Sequence, residues 1–537
     1  MAALVAATAH SLAPAETGLP ASPVPDDATI EASGAVIGAI EIRAADVFDL
    51  ERPGEDRAAF RAANRIHPVT RDGTIRNLLT FRTGDRYSRR VLDESERALR
   101  RSGFLYDAAI APSAFHDGTV DLVVSTRDVW TLKAGVGFGR AGGVNRAHFG
   151  LEDANFFGTG KNVAVKRING VDRTETIWKY RDPSLFGSHV RMEAAYSSNS
   201  DGVGERLNVE RPFYALDTRW VAGGGGESFE RTDSLYAAGE VVARFGHTQR
   251  RAGVYGGIGS TVDDNVAHRW TFGFDYIEDR FVPDPLLPPS VPPEDRTLAF
   301  PWVGFERVVD GFVKTRDLDK IGRTEDLDLG GSYHARLGWS DPAFGATVRA
   351  AILDAGGHRG FALGRGQTIG LDAALGGRLG SRGAENLLAT FAARYDKRYD
   401  NGNVLHAAFR LDAGRELDPE TQIVLGGDNG LRGFPLRYAV GSWAWLATVE
   451  HRAYWDKEWL KLVRVGAAVF LDVGAAGGSS GGIGTDFDTL RDVGVGLRLG
   501  QSRSSHASMI HIDLAAPIGA GAGVKGVQLL ITTGETF

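Results

Sequence analysis

Gly477-Gly478-Ser479-Ser480-Gly481 fits the G-x-S-x-G spacing of a nucleophilic serine. That chemistry needs the serine on a strand–turn–helix elbow beside a histidine base. Here the segment is a Gly/Ser stretch between two strand-like runs. Gly137, Gly139 and Gly142 fit G-x-G-x-x-G, whose glycines cradle a pyrophosphate only where a helix follows; another strand-like run follows instead. The 13 histidines are scattered, with no pair at metal-ligand spacing on a helical face. No catalytic residue, metal or cofactor is expected, and the chain is not expected to be an enzyme. What remains is charge. Arg432 sits in the loop Gly426-Gly427-Asp428-Asn429-Gly430-Leu431-Arg432-Gly433-Phe434-Pro435, and Glu450 and Asp472 interrupt the two strand-like segments that follow it.

Those segments belong to a series with a period of two. Leu405, Ala407, Phe409 and Leu411 face one way, and His406, Arg410 and Asp412 the other. Trp443, Trp445, Ala447 and Val449 then oppose Leu446, Thr448, Glu450 and Arg452. Val465, Ala467, Val469 and Leu471 oppose Arg464, Gly466, Phe470 and Asp472, and Val493, Val495, Leu497 and Leu499 oppose Asp492 and Arg498. Ile510, Ile512 and Leu514 oppose His511 and Asp513, and the final run sets Val527, Leu529 and Ile531 against Gln528 and Leu530. Earlier runs are noisier, as in Trp270, Phe272, Phe274 and Tyr276. Asn155-Phe156-Phe157-Gly158 and Asp182 to Gly187 read as tight turns, and the proline-rich stretch 283–293 as a loop. A soluble sandwich would bury the apolar series, whereas a barrel in lipid turns it outward and the charged series into the lumen. Alternation alone does not separate the two; the aromatic Phe537 closing an amphipathic last strand favours the barrel. From Trp130 onward 18 to 20 segments read as strands.

Composition agrees with a barrel: 70 Gly, 27 Phe, 13 Tyr, 10 Trp, 3 Met and no Cys in 537 residues. The net charge of −7 and the lack of a basic stripe argue against a nucleic-acid partner. No run of 18 apolar residues occurs, so no spanning helix is expected. Residues 1–15 read as the remnant of an export signal, and residues 16–34, rich in proline, as a disordered linker. From residue 35 to 129 the periods mix. Ile40 and Ile42 suggest a strand, and Ile75, Leu78 and Leu79 one helical face. A second helix begins at a Ser88 cap, with Val91, Leu92, Ser95, Ala98 and Leu99 as its stripe and Gly103 as its left-handed close. Two strands follow, about Leu105–Phe115 and Thr119–Thr126, joined by the hairpin signal Asp117-Gly118.

The order strand, helix, helix, strand, strand resembles a POTRA domain, and Gly84-Asp85 before the second helix and Ser102-Gly103-Phe104 after it fit that resemblance. A plug or linker domain without binding function is the alternative. Leu431-Arg432-Gly433-Phe434 resembles the Val/Leu-Arg-Gly-Tyr/Phe signature of the outer-membrane assembly-factor superfamily, the BamA and TamA type. The resemblance covers residues 35–537. It implies a mainly β fold, a 16-stranded antiparallel transmembrane barrel over residues 130–537 preceded by one small α+β POTRA-like domain. It also implies that the motif tips an extracellular loop folded back into the lumen, where Arg432 meets Glu450 and Asp472. Gly433 would allow a sharp turn and Phe434 would pack on the inner wall. Val527, Leu529, Ile531 and Phe537 would form the C-terminal assembly signal.

The expected location is the bacterial outer membrane with the N-terminal domain in the periplasm. The expected role is insertion of outer-membrane proteins or translocation of polypeptide. The partners implied are unfolded outer-membrane or exported polypeptides, outer-membrane lipid and periplasmic accessory proteins. The alternatives are a pore dedicated to one exoprotein, or a barrel with a small-molecule transport or enzymatic role.

Overall fold

A computed structural model of the chain describes residues 24–504, 509–519, 524 and 526–533. The export-signal remnant and Phe537 lie outside the described residues.

The chain begins with a compact α/β unit: α1 (Asp27–Ser33), β1 (Val36–Ala45), α2 (Ala58–Ile66), α3 (Asp72–Leu78), α4 (Arg89–Arg101), β2 (Leu105–His116) and β3 (Thr119–Asp128). The sheet order is β1-β3-β2, with β1 parallel to the central β3 and β2 antiparallel to it. Asp117 and Gly118 both take positive φ in the β2–β3 turn, as that dipeptide predicts. Gly103, at φ 83°, follows the last turn of α4. Ile37, Ile75, Leu92, Leu99, Phe104, Val120 and Val124 form the core, together with Ile30. Ile30 belongs to α1, so part of the segment expected as linker is folded: Asp26 caps the helix by accepting from Thr29 N–H at 2.8 Å, and Ile30 anchors it. The two-helix POTRA-like reading is also corrected, because the unit carries four helices, two of them without a distinct signal in the sequence.

The rest of the chain is a closed antiparallel barrel of 20 strands, from Leu132–Ala141 to Gln528–Thr533, and not the 16 expected. The reason is local. The breaks at Phe156–Gly158 and Leu185–Gly187 are single-turn 3-10 elements that reverse the chain between full-length neighbours. Each strand-like segment before Trp220 therefore joins the ring and none is a loop decoration. Two short hairpins stand apart from the ring: Phe312–Arg316 with Thr324–Asp328, and Ile423–Leu425 with Ala439–Gly441. No helix among the described residues is long and apolar enough to cross a membrane.

The outer wall is apolar. Phe149, Trp178, Val254, Phe272, Leu337, Val469, Val495 and Leu514 are all exposed. Their neighbours of opposite parity, among them Glu450, Asp472, Asp492, Arg498 and Asp513, are buried inside. A closed ring leaves no unpaired edge, so this apolar wall suits lipid.

The N-terminal unit sits against one end of the ring, the near end. Trp130 N–H donates to the Arg503 carbonyl at 2.7 Å, Arg503 pairs with Glu55 at 2.8 Å, and Asn155 Nδ2 donates to Thr70 Oγ1 at 2.7 Å. Thr70 in turn donates to the buried Asp128 carboxylate, which also holds His67 at 2.9 Å. A cavity of about 1160 Å³ remains between α3 and α4 on one side and the inner wall around Arg191, Arg206, Gly225 and Tyr255 on the other.

Candidate functional site: an arginine-anchored loop in the lumen

Between the strands Val404–Arg415 and Trp443–Trp459 the chain leaves the far end of the barrel and turns inward. The short pair Ile423–Leu425/Ala439–Gly441 forms its neck and a single 3-10 turn at Gly427–Asn429 its shoulder. Leu431 then takes φ 53°, the left-handed conformation that costs a side chain strain. The strain is offset by burial: Leu431 and Phe434 are both fully enclosed, packed with Ile423, Leu425 and the inward wall residues Ala444 and Ala476. Phe434 therefore meets the inner wall as expected.

Gly433 is a central residue of the tight turn Leu431–Phe434, in which Phe434 N–H donates to the Leu431 carbonyl at 3.0 Å, although its own φ is not positive. A Cβ on Gly433 would stand 2.7 Å from the Asp492 Cβ and 2.9 Å from the Pro517 nitrogen. It is a glycine because the loop lies directly on the wall there.

That contact carries Arg432 into a ring of acids. Its Nε and Nη2 donate to the two Asp472 oxygens at 2.8 and 3.0 Å, a bidentate fork. Nη1 donates to Glu450 Oε2 and to Asp513 Oδ2, both at 3.0 Å. The guanidinium also lies 3.3 Å from the centre of the Phe470 ring, which faces inward between Glu450 and Asp472. The side chain is 14% exposed and Asp472 1%, so water screens these contacts little.

The structure brings Glu450 and Asp472 to Arg432, and the cluster holds further residues that sequence reasoning missed. Asp513 is a third ligand of Arg432. Arg498 lies 2.9 Å from Glu450 and 2.5 Å from Asp513, and Arg452 Nε donates to Glu450 Oε1 at 2.8 Å. Three guanidiniums thus interlock with three carboxylates on four strands. Asp492 faces Asp472 across the strand pair, fully buried, and makes no ion pair among the described residues. The alternation that set Glu450 inward also set Arg498 and Asp513 inward; that parity was the available signal.

Further contacts stretch the loop across the bore. Arg437 grips Asp172 with two bonds of 2.7 Å, Asp428 pairs with Arg146, and Gln422 exchanges bonds of 2.8 and 3.1 Å with the Tyr236 backbone. Arg437 donation, against a smaller opposing effect of burial, lowers the Asp172 carboxyl to about 2. The strand that was to carry the assembly signal is Gln528–Thr533, with Val527 and Leu529 exposed outward as expected. Between this strand and Leu132–Ala141 the one ladder pair among the described residues is Ile531 with Arg140. No group of residues able to hold a metal ion occurs among the described residues.

No protein-family profile and no curated protein matches the sequence. Solved structures similar to it include BamA from Haemophilus ducreyi lacking POTRA domains 1–3, at 14% identity and TM-score 0.40 over 93% of this chain and 83% of that one. CdiB from Acinetobacter baumannii is similar at 11% identity and TM-score 0.46, over 93% and 74%. The FrpB iron transporter from Neisseria meningitidis is similar at 9% and 0.37, over 79% and 78%. All are likenesses at low identity.

Proposed function

We propose that this chain is an outer-membrane factor that inserts β-barrel proteins into the membrane, with its N-terminal unit in the periplasm. The observation that carries the reading is the locked loop: Arg432 is bound to Asp472, Glu450 and Asp513 inside the ring, and the same loop reaches across to Asp172 and Tyr236. A solute channel would keep that bore open. A barrel obstructed along its axis is suited to work sideways, toward lipid, and the seam is where its first and last strands, Leu132–Ala141 and Gln528–Thr533, meet. The Leu431-Arg432-Gly433-Phe434 resemblance supports the same reading, since its implied contacts with Glu450 and Asp472 match the geometry. Unfolded outer-membrane polypeptides would be the clients and the seam the place where they add strands.

A second reading, passage of an exported polypeptide through the lumen, is favoured by the charged cavity beside α3 and α4. One experiment separates them. The protein is reconstituted in liposomes and an unfolded outer-membrane barrel is added, with Arg140→Cys and Ile531→Cys introduced together to lock the seam. Insertion predicts faster client folding that stops when the seam is oxidised and returns on reduction. Folding no faster than on empty liposomes refutes insertion, and export that survives the oxidised seam favours translocation.

A further inference from the structure

The far-end loop is not the only segment that enters the barrel. The hairpin Phe312–Arg316/Thr324–Asp328 leaves the near end between the strands Arg296–Val309 and Gly331–Ser340. Its tip, residues 317–323, reaches inner-wall positions three to seven strands further round the ring. Asp317 pairs with Arg398 at 3.2 Å and Asp319 with Arg394 at 2.9 Å. Ile321, 4% exposed, lies on Gly500, where an added Cβ would meet its own at 3.0 Å. A surface turn has no reason to bury Leu318 and Ile321. A segment crossing the bore does.

The hairpin touches both the N-terminal unit and the inner wall: its tip donates from Arg323 to the Leu105 and Tyr106 carbonyls at 3.3 and 3.4 Å as well as reaching the ring. At its base, Asp310 pairs with Arg97 at 2.9 Å, Asp326 with Arg100 at 2.6 Å, and Lys314 with Glu96 at 2.6 Å, all three partners on α4. At its tip, the Leu318 carbonyl accepts from Arg452 Nη1 at 3.0 Å. Arg452 is the residue whose Nε holds Glu450, and Glu450 holds Arg432. A continuous path of ion pairs and hydrogen bonds therefore runs from α4 through the hairpin backbone and the Leu318 carbonyl to the far-end loop.

We propose that the hairpin is a second plug, and that Arg452 couples it to the Arg432 loop so that displacing the N-terminal unit loosens both closures together. Arg452 is a positioning residue here: one nitrogen holds the hairpin tip and another holds Glu450, the wall residue that binds Arg432. Drawing the hairpin out removes the carbonyl partner of a guanidinium buried against Glu450. Arg452 is then free to reorient, and the charge balance that holds Glu450 toward Arg432 changes. Conversely, removing Arg432 frees Glu450 to turn wholly to Arg452 and Arg498, which alters the seat of the hairpin tip. The inference concerns how the bore is closed and does not depend on which client the protein serves.

The chain has no cysteine, so single thiols report on one site. The test uses the full chain in detergent, with Ile321→Cys as the reporter, an impermeant maleimide as the probe, and heat-modifiable gel mobility as the check of folding. Labelling is expected to be slow in the parent and at least tenfold faster with Arg432→Ala at the far end or Asp326→Asn at the base. Glu450→Gln serves if Arg432→Ala does not fold. A second measurement uses Ile321→Cys/Gly500→Cys; their Cβ positions, 3.0 Å apart, need to open by about 0.8 Å to reach the roughly 3.8 Å separation of a disulfide. In planar bilayers the Arg432→Ala form of this pair is expected to conduct little when oxidised and more after reduction. Labelling of the reporter thiol that is unchanged by Arg432→Ala and Glu450→Gln overturns the coupling. Conductance that ignores the tether overturns the second plug.

Discussion

Replacing Arg432 with alanine tests the site most directly, and the cost follows from which partners remain. Glu450 keeps Arg452 and Arg498, and Asp513 keeps Arg498. Asp472 loses both hydrogen bonds of its fork and, among the described residues, its one cationic partner, while facing the buried Asp492. Breaking a buried pair by removing one partner costs about 3–5 kcal/mol. Water entering the vacated space hydrates part of Asp472, so the lower end, about 3 kcal/mol, is the expected figure. That is roughly two decades in the ratio of seated to unseated loop. The loss is local, because the ring keeps its ladder. Hydrogen exchange over residues 426–436 should therefore rise about a hundredfold, with barrel mobility on gels unchanged. Lysine should recover less than half, since one ammonium cannot reproduce a fork on Asp472 together with bonds to Glu450 and Asp513. Unchanged exchange in Arg432→Ala would refute the claim that this residue holds the loop.

Three further outcomes are expected. Gly433→Ala should unseat the loop by about 1–3 kcal/mol, because its Cβ meets the Asp492 Cβ at 2.7 Å; exchange protection of the loop measures it, and full protection would contradict the close approach. Asp492→Asn should raise the thermal midpoint in detergent, by removing a carboxylate placed opposite Asp472; a lowered midpoint would show that the second carboxylate is needed. The clasp of Arg437 on Asp172 is pH-dependent in a defined sense. The Asp172 carboxyl falls from its ordinary 3.8 to about 2, so its contribution is fully present above pH about 4 and is lost as pH falls toward 2. Fluorescence of a probe on the 170–173 turn should stay constant from pH 7 to about 4 and change below, and should not change there in Asp172→Asn.

The site was legible where it depended on parity. A period of two fixes which face a strand residue takes, so Glu450 and Asp472 could be set inward without knowing the path of any loop. Asp513 and Arg498 had the same parity, yet their part in the cluster depends on how far the loop reaches across the bore, and no local pattern encodes that. The role of Gly433 was legible only in part: it lies in the turn Leu431–Phe434, but a glycine required also by an approaching wall looks in sequence like one required by a turn alone. Strand number shows the opposite error. The alternating segments themselves numbered 18 to 20, close to the 20 present, and the resemblance pulled the expectation to 16. The hairpin at 310–330 left no trace, since its short strands carry Lys314, Arg316, Glu325, Asp326 and Asp328 and read as loop.

Ring size has a consequence for closure. Barrel diameter grows roughly linearly with strand number, so twenty strands enclose a cross-section roughly half again as large as sixteen. One inward segment anchored to adjoining strands covers a fixed patch of that area, whatever the circumference. Each added pair of strands widens the hole faster than it lengthens the perimeter from which a stopper can hang. A ring of this girth can stay sealed only by recruiting obstruction from more than one rim. The segment between Val309 and Gly331, placed among the strands furthest from the seam, supplies it from the side that the Arg432 loop does not reach.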